Sequence, residues 1–193
     1  LLFADVVDFT PFDERTSPDR VVGVLDEVFS AFDDLAQLHG LEKIKTVGDA
    51  FVATANLLEP HDDSVMACLG AASALAEAAR CTPAKWRMRS GIHLGPVVAG
   101  VVGSTKFSFD LWGDTVNVAA RLQQVAKDLG EGFLVSTAAR DLASSGGVEV
   151  GNGKSERVVL RGRREPVEYV SLFSEREASL AATFASQTAP GDD

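Results

Sequence analysis

The stretch that decides the fold is Leu41-Glu42-Lys43-Ile44-Lys45-Thr46-Val47-Gly48-Asp49-Ala50-Phe51-Val52-Ala53. Leu41, Ile44 and Val47 are apolar before Gly48-Asp49; Phe51 and Val52 are apolar after it. Two apolar runs split by a two-residue, glycine-containing break predict a tight β-hairpin, because glycine supplies the positive φ such a turn needs. Lys45 stands just before the turn and Asp49 within it. Strand interiors rarely bury an unpaired ammonium, so both charges are presented at the hairpin's end. Taken alone, that tip reads as solvated surface charge. The residues around it change the reading.

Upstream, Leu1 to Val7 is an apolar run interrupted by Asp5, which predicts a buried strand. An aspartate in a central strand is costly unless it is paired or metal-bound; the alternative is a strand-end residue capping the next turn. Val6-Val7-Asp8-Phe9-Thr10-Pro11 then leaves the strand, and Pro11 forbids its continuation in a central position. Ser17-Pro18-Asp19 starts a helix: Ser as N-cap, Pro at the first position, Asp at the positive dipole end. Val21, Leu25, Val28, Phe29, Phe32 and Leu35 form its apolar stripe, and His39-Gly40 ends it. His39 is a helix-end residue with no catalytic role.

Downstream of the hairpin, His61 to Arg80 has helical spacing, with Asp62 and Asp63 in its first turn. His61 and the two aspartates read as a solvated helix start in preference to a metal cluster. Trp86 to Leu94 alternates as a half-buried strand, Gly95-Pro96 turns the chain, and Val97 to Gly103 returns as a second strand. His93 on the first of these is a satisfied, hydrogen-bonded residue and no ligand. Asp114 or Thr115 caps a helix running to about Leu129, stopped by Gly130. On it Asn117 and Arg121 share one face, one turn apart. An amide and a forked guanidinium so aligned suit a phosphate or other oxyanion; the plain alternative is a surface pair. Phe133-Leu134-Val135 is a short strand, and Ser136 caps a short helix closed by Ser144-Ser145-Gly146-Gly147. Val148 to Val150 and Arg157 to Leu160 read as strands paired across Gly151-Asn152-Gly153-Lys154. Pro166 to Phe173 is a last strand, and residues 174–193 read as a short helix or frayed tail.

The order strand, helix, strand, strand, helix, strand predicts a ferredoxin-like βαββαβ sheet of the α+β class, helices on one face, with extra C-terminal strands and helices. Residues 1–173 form one domain. The chain has 193 residues, 46% of them hydrophobic and 24% charged, and a formal net charge of −10. That is enough for a core without staples. The acidic balance argues against nucleic acid and anionic membranes and is compatible with cations. Cys68 and Cys81 lack CxxC spacing and are expected buried and reduced, as in a cytoplasmic domain. No apolar run approaches the roughly 18 residues of a membrane span, so no membrane contact is expected. A chain that opens on a strand is expected to be part of something longer.

In the predicted fold the first strand lies beside the hairpin, which brings Asp5 and Asp49 to one end of the sheet. Two carboxylates on rigid strands bind hard divalent cations, and Mg²⁺ takes one or two of them together with water and substrate phosphates. Such a pair can run a two-metal displacement at phosphorus. The loop from Val7 to Pro11 can turn backbone N–H groups toward a triphosphate.

The chain resembles the catalytic domain of class III adenylyl and guanylyl cyclases. The matching segments are Phe3-Ala4-Asp5-Val6 with Phe9-Thr10; Lys43 to Ala50; Gly91-Ile92-His93 with Gly95; and Asp110-Leu111-Trp112-Gly113 through Thr115 to Leu122. The resemblance implies that Asp5, Asp49 and the carbonyl of Val6 hold two ions, Mg²⁺ or Mn²⁺, per site. It implies that Phe9 and Thr10 hold the phosphates and that Lys45 and Asp110 recognise the purine, their identities being those of adenine specificity. Asn117 would orient the ribose and Arg121 would stabilise charge at the α-phosphate. Arg161 falls where the family usually has a lysine for the terminal phosphates, and Pro96 where some members have a phosphate-binding arginine. The resemblance further implies a homodimer with two interfacial sites acting on ATP. The alternative is a cyclase-like module that binds nucleotide and dimerises without catalysis.

Overall fold

The computed structural model describes residues 1–129, 132–145, 150, 154–160, 163 and 165–172. The first strand, β1 (Leu2–Val6), shows why two layers of helix form. Leu2, Ala4 and Val6 point into the larger apolar cluster, whereas Leu1 and Phe3 belong to another. A period of two thus gives the strand two buried faces, and each needs its own cover.

The first face is covered by α2 (Pro18–Leu38), α3 (Ser64–Cys81) and α5 (Thr137–Ser145). Ser17 is the N-cap of α2 with Pro18 beside it, and Val21, Val28, Phe32 and Ala36 form its buried stripe. Gly40, at φ +70°, takes the left-handed position after the helix. The alanine-rich α3 is buried nearly all round, because small side chains let α2, α5 and the sheet approach together. Asp63 caps it by accepting from the Met66 amide, and His61 Nδ1 accepts from the Asp63 amide, so these residues form a helix start. Cys68 is buried as expected; Cys81 is exposed at the helix end, where the apolar stripe has run out.

The hairpin is present as β2 (Glu42–Val47) and β3 (Ala50–Thr54), with Gly48 at φ +62°. With β4 (Met88–Ile92) they give the order β2-β3-β1-β4, all antiparallel, which is the βαββαβ sheet. The sheet continues through β7 (Phe133–Ser136), parallel to β4, to β9 (Val167–Leu172) and β8 (Glu156–Val158). Where the strand Arg157 to Leu160 is expected, β8 pairs with β9; two of the three residues of its expected partner, Val148 to Val150, lie outside the described residues. Cross-strand partners select that register: Arg157 donates to Glu168 at 2.7 Å and the Tyr169 hydroxyl to Glu156 at 3.0 Å. Residues 148–149, the loop 151–153, the helix stops at 130 and 146–147, and the tail 174–193 lie outside the described residues.

The second face is covered by α4 (Asp114–Leu129), whose Val118, Leu122 and Ala126 pack on Leu134, Val167 and Tyr169. This helix sits directly on β4. A Cβ at Gly91 would lie 2.3 Å from the Ala119 carbonyl and 2.4 Å from the Gln123 nitrogen, so only glycine allows the approach. Strands β5 (Val98–Val102) and β6 (Ser108–Trp112) form a separate two-stranded hairpin. It is apolar yet exposed: Val98, Val101, Val102 and Phe107 are each more than half accessible.

Candidate active site

Two local devices position the site. The first lies at the end of β1. Val7 donates to the Arg87 carbonyl at 2.8 Å, Asp8 takes a left-handed conformation at φ 62°, and the short helix α1 (Phe9–Asp13) follows at once. The sequence predicts an open loop here. Pro11 sits instead in the first turn of α1, where its missing N–H costs nothing. Phe9 and Thr10 become the opening residues of α1, immediately after the strand that carries Asp5. Phe9 is anchored against Trp86 with ring centroids 6.0 Å apart.

The second device is a β-bulge at Ile44. Lys43 pairs with Ala53 but Lys45 with Val52, so one extra residue enters β2. Without it Lys43 and Lys45 would share a face. With it they diverge. Lys43 donates to Asp33 of α2 at 2.6 Å on the first face. Lys45 reaches the other side and donates to Asp110 of β6 at 2.5 Å. That bond holds the Asp110 carboxyl below its ordinary pKa.

Asp5, 9% exposed, lies cross-strand from Ala50 and Arg89. Burial, and then the neighbouring Asp49 carboxylate, push its pKa up to about 6. Two carboxylates that repel in a desolvated spot are a site short of positive charge. Arg89 supplies some: its Nη2 is 3.8 Å from Asp5 Oδ2 and donates to the Val6 carbonyl at 3.4 Å. Gln123 of α4 donates from Nε2 to Asp5 Oδ2 at 2.9 Å.

Asp5 and Asp49 therefore meet, the Val6 carbonyl shares Arg89 with Asp5, and Lys45 and Asp110 form a second group. Phe9 and Thr10 open α1, after the end of β1. Asn117 and Arg121 are exposed on α4. At about 100° per residue, α4 has three flanks roughly 120° apart. Val118, Leu122 and Ala126 face inward; Asn117 and Arg121 form a second flank; Gln123 and Lys127 form a third, which faces Asp5. The Asp5 group and the Asn117/Arg121 flank thus lie on different sides of one helix. Arg161 lies outside the described residues. His93 is satisfied as expected, with Nδ1 2.8 Å from the Ser136 hydroxyl. The sequence reading missed Gln123 and Arg89. Arg89 could have been found as the residue opposite Asp5 once β1 and β4 are placed in register.

The donor set fits a hard divalent cation: two carboxylates and a carbonyl, all oxygen, with surplus negative charge. Among the described residues no group of three or more His, Cys, Asp or Glu could hold a metal. Two carboxylates would leave the remaining positions to water and phosphate oxygens, as Mg²⁺ prefers.

The sequence model of the adenylate and guanylate cyclase catalytic domain matches residues 1–172. The chain belongs to this family. It is 43% identical over 129 residues to an adenylate cyclase of Mycobacterium tuberculosis, covering 64% of this chain and 29% of that protein. It is 32% identical over 196 residues to guanylate cyclase 2G of Mus musculus, covering 94% of this chain and 18% of that protein. The crystal structure of the guanylyl cyclase Cya2 superposes with a TM-score of 0.77 at 22% identity, over 88% of each chain. The chain spans less than a third of these curated relatives, and relatives of both purine specificities match. No helix among the described residues is long and apolar enough to cross a membrane.

Proposed function

We propose that this chain is an adenylyl cyclase catalytic domain that converts ATP to 3′,5′-cyclic AMP and pyrophosphate at two sites between the subunits of a homodimer. The observation that carries the choice of purine is the Lys45–Asp110 contact of 2.5 Å, made from β2 and β6 by way of the Ile44 bulge. The adenine 6-amino group is a donor and N1 an acceptor, matching an aspartate and a lysine. Guanine presents a carbonyl and an N–H at these positions and would meet both with the wrong polarity.

In the reaction the ribose 3′-oxygen forms a bond to the α-phosphorus, the bond from that phosphorus to the bridging oxygen breaks, and the hydroxyl proton leaves. Asp5, Asp49 and the Val6 carbonyl would hold the divalent ions. Bound there, Mg²⁺ or Mn²⁺ acidifies the hydroxyl and neutralises the phosphates. The start of α1, with Phe9 and Thr10, directs amide N–H groups at the phosphates. Asn117 fixes the ribose, and Arg121 meets the negative charge that grows at the α-phosphate. Arg161 is assigned to the terminal phosphates. Exposure of Asn117 and Arg121, away from their own chain's Asp5, supports completion of each site by a second copy, as does the exposed apolar β5–β6 hairpin.

The test is a product assay with ATP and GTP side by side, Mn²⁺ or Mg²⁺ present, at protein concentrations that favour dimers. Cyclic AMP from ATP, with little cyclic GMP, is expected. Tight ATP binding without turnover under any metal would leave only a nucleotide-binding module.

A further inference from the structure

We propose that Gln123 is a positioning residue for the metal-binding carboxylate Asp5. The inference rests on the assignment of the divalent cation to Asp5 and Asp49. A buried carboxylate that must ligate a cation needs one oxygen fixed and the other left free. Gln123 Nε2 donates to Oδ2 at 2.9 Å, so one of the two Asp5 oxygens is fixed by a neutral donor. The donor is neutral, and that is its use. Arg89 stands 3.8 Å from the same oxygen and Lys127 acts on it from the next turn of α4, but both carry charge that a cation must oppose. An amide orients the carboxylate without that competition.

The backbone that carries the donor is also held in place. The Gln123 nitrogen lies 2.4 Å from where a Gly91 Cβ would be, so the helix rests on the backbone of β4 at this very residue. Gly91 and Arg89 stand on the same face of β4, and Arg89 pairs across to Asp5. The seat of α4 and the carboxylate it holds therefore lie two rungs apart on one face of the same ladder.

The experiment compares wild type, Gln123→Met, Gln123→Ala, Gln124→Met and Asp5→Asn. Methionine keeps the length of the side chain and removes the donor; alanine keeps helix propensity. Gln124 points to solvent and pairs with Asp128, so Gln124→Met reports on α4 alone. Mn²⁺ binding is read by electron paramagnetic resonance without nucleotide, and thermal melts in chelator report folding. Wild type should bind Mn²⁺ and Asp5→Asn should not; equal binding by these two would sink the metal assignment itself. Granted that assignment, both Gln123 variants should bind Mn²⁺ about 10-fold or more weakly. Their cyclase activity should return at raised Mn²⁺ with the KM for ATP unchanged. Unchanged Mn²⁺ affinity in the Gln123 variants, or an equal loss in Gln124→Met, would overturn the role of Gln123.

Discussion

Asp5 is held at odds with its surroundings, and the sign of that conflict can be tested. Its pKa is raised from 3.8 to about 6, first by burial and then by Asp49. A raised carboxyl favours the folded state when protonated. Its stabilising contribution is full below about 3.8 and is lost as pH rises through about 6. Asp5→Asn should therefore raise the melting temperature of metal-free protein above pH 6 and lose that advantage below about pH 4, while abolishing turnover. Melts in chelator across this range check it. Mn²⁺ should stabilise the wild type and leave the variant unmoved.

Lys45 and Asp110 present the opposite balance. Both are partly exposed, and such a pair is worth about 0–1 kcal/mol to folding. Charged hydrogen bonds to a purine are worth roughly 1.5–3 kcal/mol each. The double variant Lys45→Glu with Asp110→Cys should lower kcat/KM for ATP by about 100-fold or more, with the melting temperature almost unchanged. Retained ATP preference in the assay would remove these two residues from base recognition. The charges themselves were legible in the sequence. Their meeting was not, because no local signal marks Ile44 as the extra residue that turns Lys45 away from Lys43.

At the scale of elements, the hairpin and the two helices of the βαββαβ unit follow from local patterns: Gly48 at positive φ, Ser17-Pro18 at a helix start, apolar periods of two and 3.6. What escaped depended on contacts between distant segments. The strand β6 went unassigned because Ser108 to Trp112 buries little beyond Leu111, leaving a weak alternation. The edge pairing of β8 with β9 was decided by the Arg157–Glu168 and Glu156–Tyr169 partners. Gln123 shows no signal beyond its spacing, since its role exists only once α4 lies over β1. That docking depends on Gly91. Gly91→Ala would press a methyl into the backbone of α4, and overpacking of this kind costs about 1–3 kcal/mol. The expected result is a loss of several degrees in Tm with weakened Mn²⁺ binding, since lifting α4 also draws Gln123 from Asp5.

For the whole molecule, the proposed site is divided between copies, and mixing experiments can show it. Asp49→Asn and Arg121→Ala should each be inactive alone. Mixed in equal amounts they should regain about one quarter of wild-type activity, because half of randomly paired dimers hold one intact site of two. A mixture that stays inactive would place all the groups in one chain. Val101→Ser with Phe107→Ser should shift the protein toward monomer on size-exclusion chromatography and lower its specific activity at dilution.

The exposed β5–β6 hairpin has a consequence of another kind. If activity resides only in pairs, then while pairs are scarce the rate of output grows with the square of the amount of chain. Abundance itself becomes a signal. A small rise in synthesis, or tethering two chains by whatever else the polypeptide carries, would be amplified before any effector acts. On the proposed dimer, the exposed apolar residues Val98, Val101, Val102 and Phe107 would set the concentration at which that amplification saturates.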